Sequence, residues 1–172
     1  DVETAAELAT AMEAEFATTD VLLMAAAPAD FRPSEAAPGK IAREGTLELD
    51  LEPTEDILAG LGAARHEGQT IVGFAAETPH DGDSSASRPE SPGLERAREK
   101  LERKGADAIV LNDVSRPEIG FETDQNEVVI VEPSGEHPVP LASKDQVADA
   151  ILDRVEAIRA ATGAAGQPES AE

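Results

Sequence analysis

The run Asp20-Val-Leu-Leu-Met-Ala-Ala26, DVLLMAA, has no polar side chain after its first residue. An apolar segment this short, bounded by polar residues, predicts a strand buried on both faces. Two more segments read the same way: Thr70–Ala75 (TIVGFA) and Asp107–Leu111 (DAIVL). Helical patterns stand between them. Glu3–Ala17 carries Leu8, Met12 and Phe16 four residues apart. Thr54–Glu67 follows Pro53, with Thr54 as its expected N-cap. Leu94–Lys104 is a charged helix closed by Gly105. Alternating helices and buried strands predict an α/β fold: a three-layer, Rossmann-like parallel sheet with helices on both faces.

The remaining segments fit around that sheet. Residues 27–45 hold three prolines and two glycines and read as a long loop. Leu47, Leu49 and Leu51 alternate with acids, as in a half-exposed strand. Residues 79–93 (PHDGDSSASRPESPG) read as a flexible insertion. Glu127–Val131 and Val139–Leu141 are expected to form a small antiparallel pair around Pro133-Ser-Gly-Glu136. Ser143-x-x-Gln146 is a capping box. It opens a helix with Val147, Ile151, Val155 and Ile158 on one face. The expected organisation is one domain, residues 1–162, and a disordered tail over 163–172.

Composition narrows the function. Among 172 residues, 36 are acidic and 14 are Lys or Arg, a formal charge of −22. Such a surface repels nucleic acid and anionic membranes. Aromatics make up 2%, too few for base-stacking platforms. There is no cysteine, which excludes disulfides and thiolate metal sites. The histidines His66, His80 and His137 lack ligand spacing, so no metal-binding residue is assigned. The longest apolar run, Val21–Ala29, is too short to span a bilayer, and no secretory signal is visible; a cytoplasmic protein is expected.

In parallel sheets, ligands bind beyond the carboxyl ends of the strands. Three strand ends are therefore candidates: Ala25-Ala26-Ala27-Pro28-Ala29-Asp30, Gly73-Phe74-Ala75-Ala76-Glu77-Thr78 and Asn112-Asp113-Val114-Ser115. Small side chains let a ligand approach the main chain, and Asp30 could accept hydroxyl or amine protons. Asp30 and Arg32 equally suit a surface ion pair. The chain has only four lysines: Lys40, Lys100, Lys104 and Lys144. Arg96, Lys100 and Lys104 recur at one-turn spacing and could hold phosphates, or could be an ordinary solvated face. Lys40, in a Pro/Gly loop, could act from a mobile lid. Neither G-x-G-x-x-G nor G-x-x-x-x-G-K-[ST] is present.

The series AAAPADF, GKI, EDIL, GFAAET, AREKLERKGAD, LNDVS and F-x-x-D-x-N resembles phosphopantothenate–cysteine ligase, the synthetase half of a bacterial bifunctional coenzyme A biosynthesis protein. The resemblance runs from about Val2 to Arg159. It implies a CTP-dependent ligase that joins 4′-phosphopantothenate to L-cysteine through an acyl-cytidylate, with Mg²⁺. It implies CTP binding by Ala25, Ala26, Ala27, Asp30, Lys40, Glu55, Asp56, Ile57, Leu58, Phe74, Lys100 and Lys104, with Lys40 also catalytic, at the start of a flap. Lys40-Ile-Ala-Arg43 stands where the family commonly has K-I-K-K.

The resemblance further implies a homodimer formed through strands near residues 46–51 and 127–141. It implies fusion to a flavin decarboxylase domain, where any FMN would sit. It also implies an N-terminal segment outside this sequence, bearing a first strand, a Ser/Gly-rich phosphate loop and an asparagine for the cysteine step. Without that segment the 172-residue chain is expected to be weakly active or inactive. Two other readings remain open. One is a non-catalytic nucleotide-binding or dimerisation module. The other is a nicotinamide-dependent oxidoreductase, which the missing glycine fingerprint disfavours.

Overall fold

The computed structural model describes residues 1–43, 45–77, 91–113 and 123–165. The elements are α1 (Ala5–Phe16), β1 (Val21–Met24), β2 (Phe31–Pro33), β3 (Leu51–Pro53), α2 (Ile57–Ala64), β4 (Thr70–Glu77), α3 (Pro92–Lys104), β5 (Ala108–Asp113), β6 (Gln125–Glu132), β7 (Gly135–Ser143) and α4 (Lys144–Ala165). Five strands form one sheet in the order β1-β4-β5-β6-β7, and β2 and β3 form a separate ribbon. The fold is α/β, with three layers. One core cluster joins the sheet to α1, α2 and α3; the other joins its opposite face to α4. Odd and even positions divide between them: Ile109 and Leu111 face the first cluster, Ala108 and Val110 the second. Hence these strands read as continuous apolar runs.

The sheet is mixed. β1, β4 and β5 are parallel, while β6 runs antiparallel to β5 and β7 antiparallel to β6. The hairpin expected over 127–141 is therefore longer than its periodicity indicated, and it extends the main sheet. Its turn, Pro133-Ser134, is too short for a crossover, so the two strands must run antiparallel. The capping box at Ser143 and Gln146 forms as expected, with reciprocal 3.2 Å bonds.

Four local expectations are corrected. Residues 27–45 are not wholly loop, because β2 pairs with β3. The alternation at Leu47, Leu49 and Leu51 does not make a strand there; only Leu51 enters β3, and all three side chains are exposed. The N-cap of α2 is Asp56, which accepts the Ala59 N–H at 3.1 Å. Thr54 instead donates its hydroxyl to the Ala29 carbonyl at 2.6 Å, tying the loop after β1 to the approach to α2. Finally, α4 runs on to Ala165, past the expected boundary at 162. The insertion over 79–93 lies almost wholly outside the described residues, as does the tail beyond 165.

Tight backbone contact fixes how α2 meets α3. Gly62 in α2 abuts the Lys104 carbonyl at the end of α3, where a methyl group would overlap it. Gly105 then reverses the chain with φ +60°, a left-handed conformation suited to glycine. Arg65 clamps the same end, bonding the Gly105 and Gln69 carbonyls and Asp107.

Candidate functional site

Because β1, β4 and β5 are parallel, their carboxyl ends share one edge of the sheet. The antiparallel β6 presents its first residues at that edge, since Asn112 pairs with Val128. The N-terminus of α2 arrives there too. The result is a cleft of about 910 Å³.

All the candidate residues except Lys40 line this cleft. Ala25, Ala26 and Ala27 form its wall after β1 and are solvent-exposed. Asp30 follows, and its carbonyl accepts the Thr54 N–H at 2.9 Å. The alternative reading of Asp30, an ion pair with Arg32, does not hold. Arg32 points along the ribbon to Glu52, with Nε 2.8 Å and Nη2 2.7 Å from Oε1. Glu52 sits directly opposite Arg32 in the β2–β3 register, which puts the two side chains on one face at short range.

Glu55 and Asp56 enter from the start of α2, and Ile57 and Leu58 are buried behind them. Phe74 is half-buried at the second core cluster and faces the cleft. Lys100 and Lys104 reach in from α3, whereas Arg96 does not line the cleft. Lys100 Nζ donates to the Phe74 carbonyl at 2.7 Å. Lys104 Nζ is paired with Asp56 Oδ2. Burial pushes the Asp56 carboxyl up. The hydrogen bonds from Lys104 and the Ala59 N–H, with the charges of Lys104 and Arg103, outweigh that and hold it below its ordinary value.

Lys40 is exposed and stands off the cleft lining, in the segment between β2 and β3. Periodicity alone missed part of the wall. Asn126 is the second residue of β6, while Val147 and Ile151 come from α4, and all three line the cleft. Asn126 was visible only as the last residue of F-x-x-D-x-N. Val147 and Ile151 read as ordinary core-facing positions. No sequence signal could have told that the antiparallel return of β6 brings them to the binding edge.

The chemistry available is that of an anion site with an exposed-backbone wall. Two ammonium groups, the positive end of an eight-residue helix and small alanines can hold a polyphosphate and read a flat polar ring edge. Among the described residues no cluster of three or more His, Cys, Asp or Glu could hold a metal ion, and no helix is long and apolar enough to cross a membrane.

Known proteins agree with this architecture. A family model, the DNA/pantothenate metabolism flavoprotein C-terminal domain, matches residues 1–158. The bifunctional coenzyme A biosynthesis protein CoaBC of Mycobacterium tuberculosis (strain ATCC 25618 / H37Rv) is 40% identical over 162 residues, covering 90% of this chain and 37% of that protein. CoaBC of Escherichia coli (strain K12) is 33% identical over 159 residues, covering 90% of this chain and 36% of that one. The chain thus spans well under half the length of these relatives. The crystal structure of the C-terminal domain of a CoaBC protein superposes with a TM-score of 0.67 at 30% identity, over 91% of this chain and 63% of that one. A Cab2 H337A mutant solved in complex with phosphopantothenate-cysteine shares the fold, with a TM-score of 0.59 at 22% identity over 83% of this chain and 46% of that one. A match over residues 1–158, on a sheet whose parallel strand ends gather the motif residues into one cleft, leads to a single statement: the chain belongs to the DNA/pantothenate metabolism flavoprotein C-terminal domain family.

Proposed function

We propose that this chain supplies the nucleotide-binding part of a ligase that joins 4′-phosphopantothenate to L-cysteine at the expense of CTP. The observation that carries the reading is the convergence on one cleft of Ala25–Ala27, Asp30, the start of α2, Phe74, Lys100 and Lys104, drawn from four separated parts of the chain. The alanine wall suits the cytosine edge, which needs main-chain donors and acceptors at close range. The lysines and the α2 N-terminus suit the triphosphate.

In the proposed reaction, the pantothenate carboxylate attacks the α-phosphorus of CTP and pyrophosphate leaves, giving an acyl-cytidylate. The cysteine amine then attacks the acyl carbon, CMP leaves, and the amine proton passes to solvent or a base. Lys100 and Lys104 hold the phosphates in line and offset their growing charge. Mg²⁺ commonly takes one or two carboxylates plus phosphate oxygens. Asp30 and Glu55 on the cleft wall fit that donor set and would hold it, where it would neutralise phosphate charge. Lys40 joins the site only if the segment between β2 and β3 folds over the cleft.

The homologous proteins bear bifunctional names, which supports fusion to a decarboxylase domain. A homodimer formed through the segments near residues 46–51 and 127–141 is also proposed. Phe31 in β2, Leu51 in β3, and Leu47 and Leu49 just before β3 are all more than half exposed, and an isolated two-stranded ribbon is marginal without a partner. Sedimentation showing only monomer at micromolar concentrations would refute the dimer.

The test of the main reading is calorimetric titration of the intact protein with CTP and ATP in the presence of Mg²⁺, followed by a pyrophosphate-release assay with 4′-phosphopantothenate. Preference for CTP and substrate-dependent pyrophosphate release are expected. CTP binding without release would leave the non-catalytic module; equal affinity for ATP would overturn the nucleotide assignment.

A further inference from the structure

The two lysines of the cleft both have protein acceptors. Lys100 donates to a neutral carbonyl, that of Phe74. Lys104 is paired with a full negative charge, Asp56. Exposure orders that pair: the Lys104 side chain is 12% accessible and that of Asp56 is 49%. The carboxylate is the outer member and the ammonium the inner one. An anion entering from solvent therefore meets Asp56 before it meets the cation it needs. The other Asp56 oxygen caps α2 through the Ala59 N–H, which holds the carboxylate at the mouth of the helix.

We propose that Asp56 is an internal counter-ion that occupies Lys104 while the cleft holds no anion, and that a polyphosphate binds by taking Lys104 from it. This rests on the nucleotide reading above and assigns Asp56 a role in it: a positioning residue acting through Lys104. Two consequences follow. Asp56 lowers anion affinity, because the incoming phosphate must first break an existing pair. It also favours release of the anionic product, since it recaptures Lys104 as pyrophosphate leaves. A site that holds a triphosphate and must then let pyrophosphate go gains from such a competitor.

The cap and the charge can be separated. Asparagine caps a helix as well as aspartate does, but carries no charge. The experiment is calorimetric titration of the intact protein with inorganic triphosphate, with CTP alongside. It uses wild type, Asp56→Asn, Lys104→Met and the double variant. Asp56→Asn is expected to bind triphosphate about tenfold more tightly, the lower end of what one charge-assisted hydrogen bond is worth. In the Lys104→Met background the same change should have no effect, which is the signature of action through Lys104. No tightening in Asp56→Asn overturns the proposal. So does tightening that persists without Lys104, since Asp56 would then act by general repulsion. If Asp56→Asn misfolds, Asp56→Ser keeps a capping oxygen and serves in its place. A wild type that binds triphosphate but prefers no nucleotide would overturn the CTP reading and leave the exchange standing. A wild type that binds neither would overturn both.

Discussion

Gly62 and Lys104 touch through their backbones: the Cα of Gly62 in α2 faces the Lys104 carbonyl at the last turn of α3. That contact sets the separation of the two helices. Asp56 and Lys104, which pair across the cleft, sit on those same helices.

Gly62→Ala is therefore expected to cost about 1–3 kcal/mol, because the added methyl meets a backbone atom that cannot swing away. Urea denaturation measures it. A variant as stable as wild type would show that α2 and α3 can shift apart freely. Triphosphate affinity should change with stability, since the displaced helices carry the ion pair.

Lys100→Ala should weaken CTP binding at least tenfold, and loss of its bond to the Phe74 carbonyl alone should lower stability by about 1 kcal/mol. Calorimetry and thermal melting separate the two effects. Unchanged CTP affinity would remove Lys100 from the site.

Glu132 is a buried carboxylate, 3% exposed, gripped by Arg154 through two bonds of 2.8 and 2.7 Å. Arg154→Met strands that charge and should cost about 3 kcal/mol, the low end for such pairs because Arg154 is one-third exposed. Changing both residues to Met should recover most of the loss. Burial pushes the Glu132 carboxyl up, but Arg154, with the His137 charge and the Ser134 hydroxyl, more than compensates and holds it below its ordinary 4.5. The unfolded chain thus binds the proton more readily. The stabilisation is complete above pH 4.5 and is lost as pH falls through the lower folded value. Denaturant midpoints between pH 7 and 3 should fall less steeply below pH 4.5 in Glu132→Gln.

A net charge of −22 repels itself. Raising KCl from 0.1 to 1 M shortens the screening length from about 10 to about 3 Å. The melting midpoint is expected to rise by several degrees. A falling midpoint would show that paired charges such as Arg98–Glu136 matter more than the excess.

The alternation of helices with the main-sheet strands, the two-sided burial of β4 and β5 and the stop at Gly105 were legible in the chain, because they follow from spacing over a few residues. The motif residues at the strand ends were legible as a set, through a family likeness, but not as a shape. What stayed hidden depends on contacts between distant segments. Thr54 looks like a cap until the Ala29 carbonyl claims its hydroxyl. Arg32 looks like the partner of Asp30 until β3 brings Glu52 alongside. Asn126, Val147 and Ile151 reach the cleft only because β6 returns antiparallel. Asp56 and Lys104, 48 positions apart, become an ion pair only once Gly62 lets two helices close. Periodicity decides which face of an element is buried; the direction of a strand and the approach of two helices decide which charges meet, and those are properties of the packed chain alone.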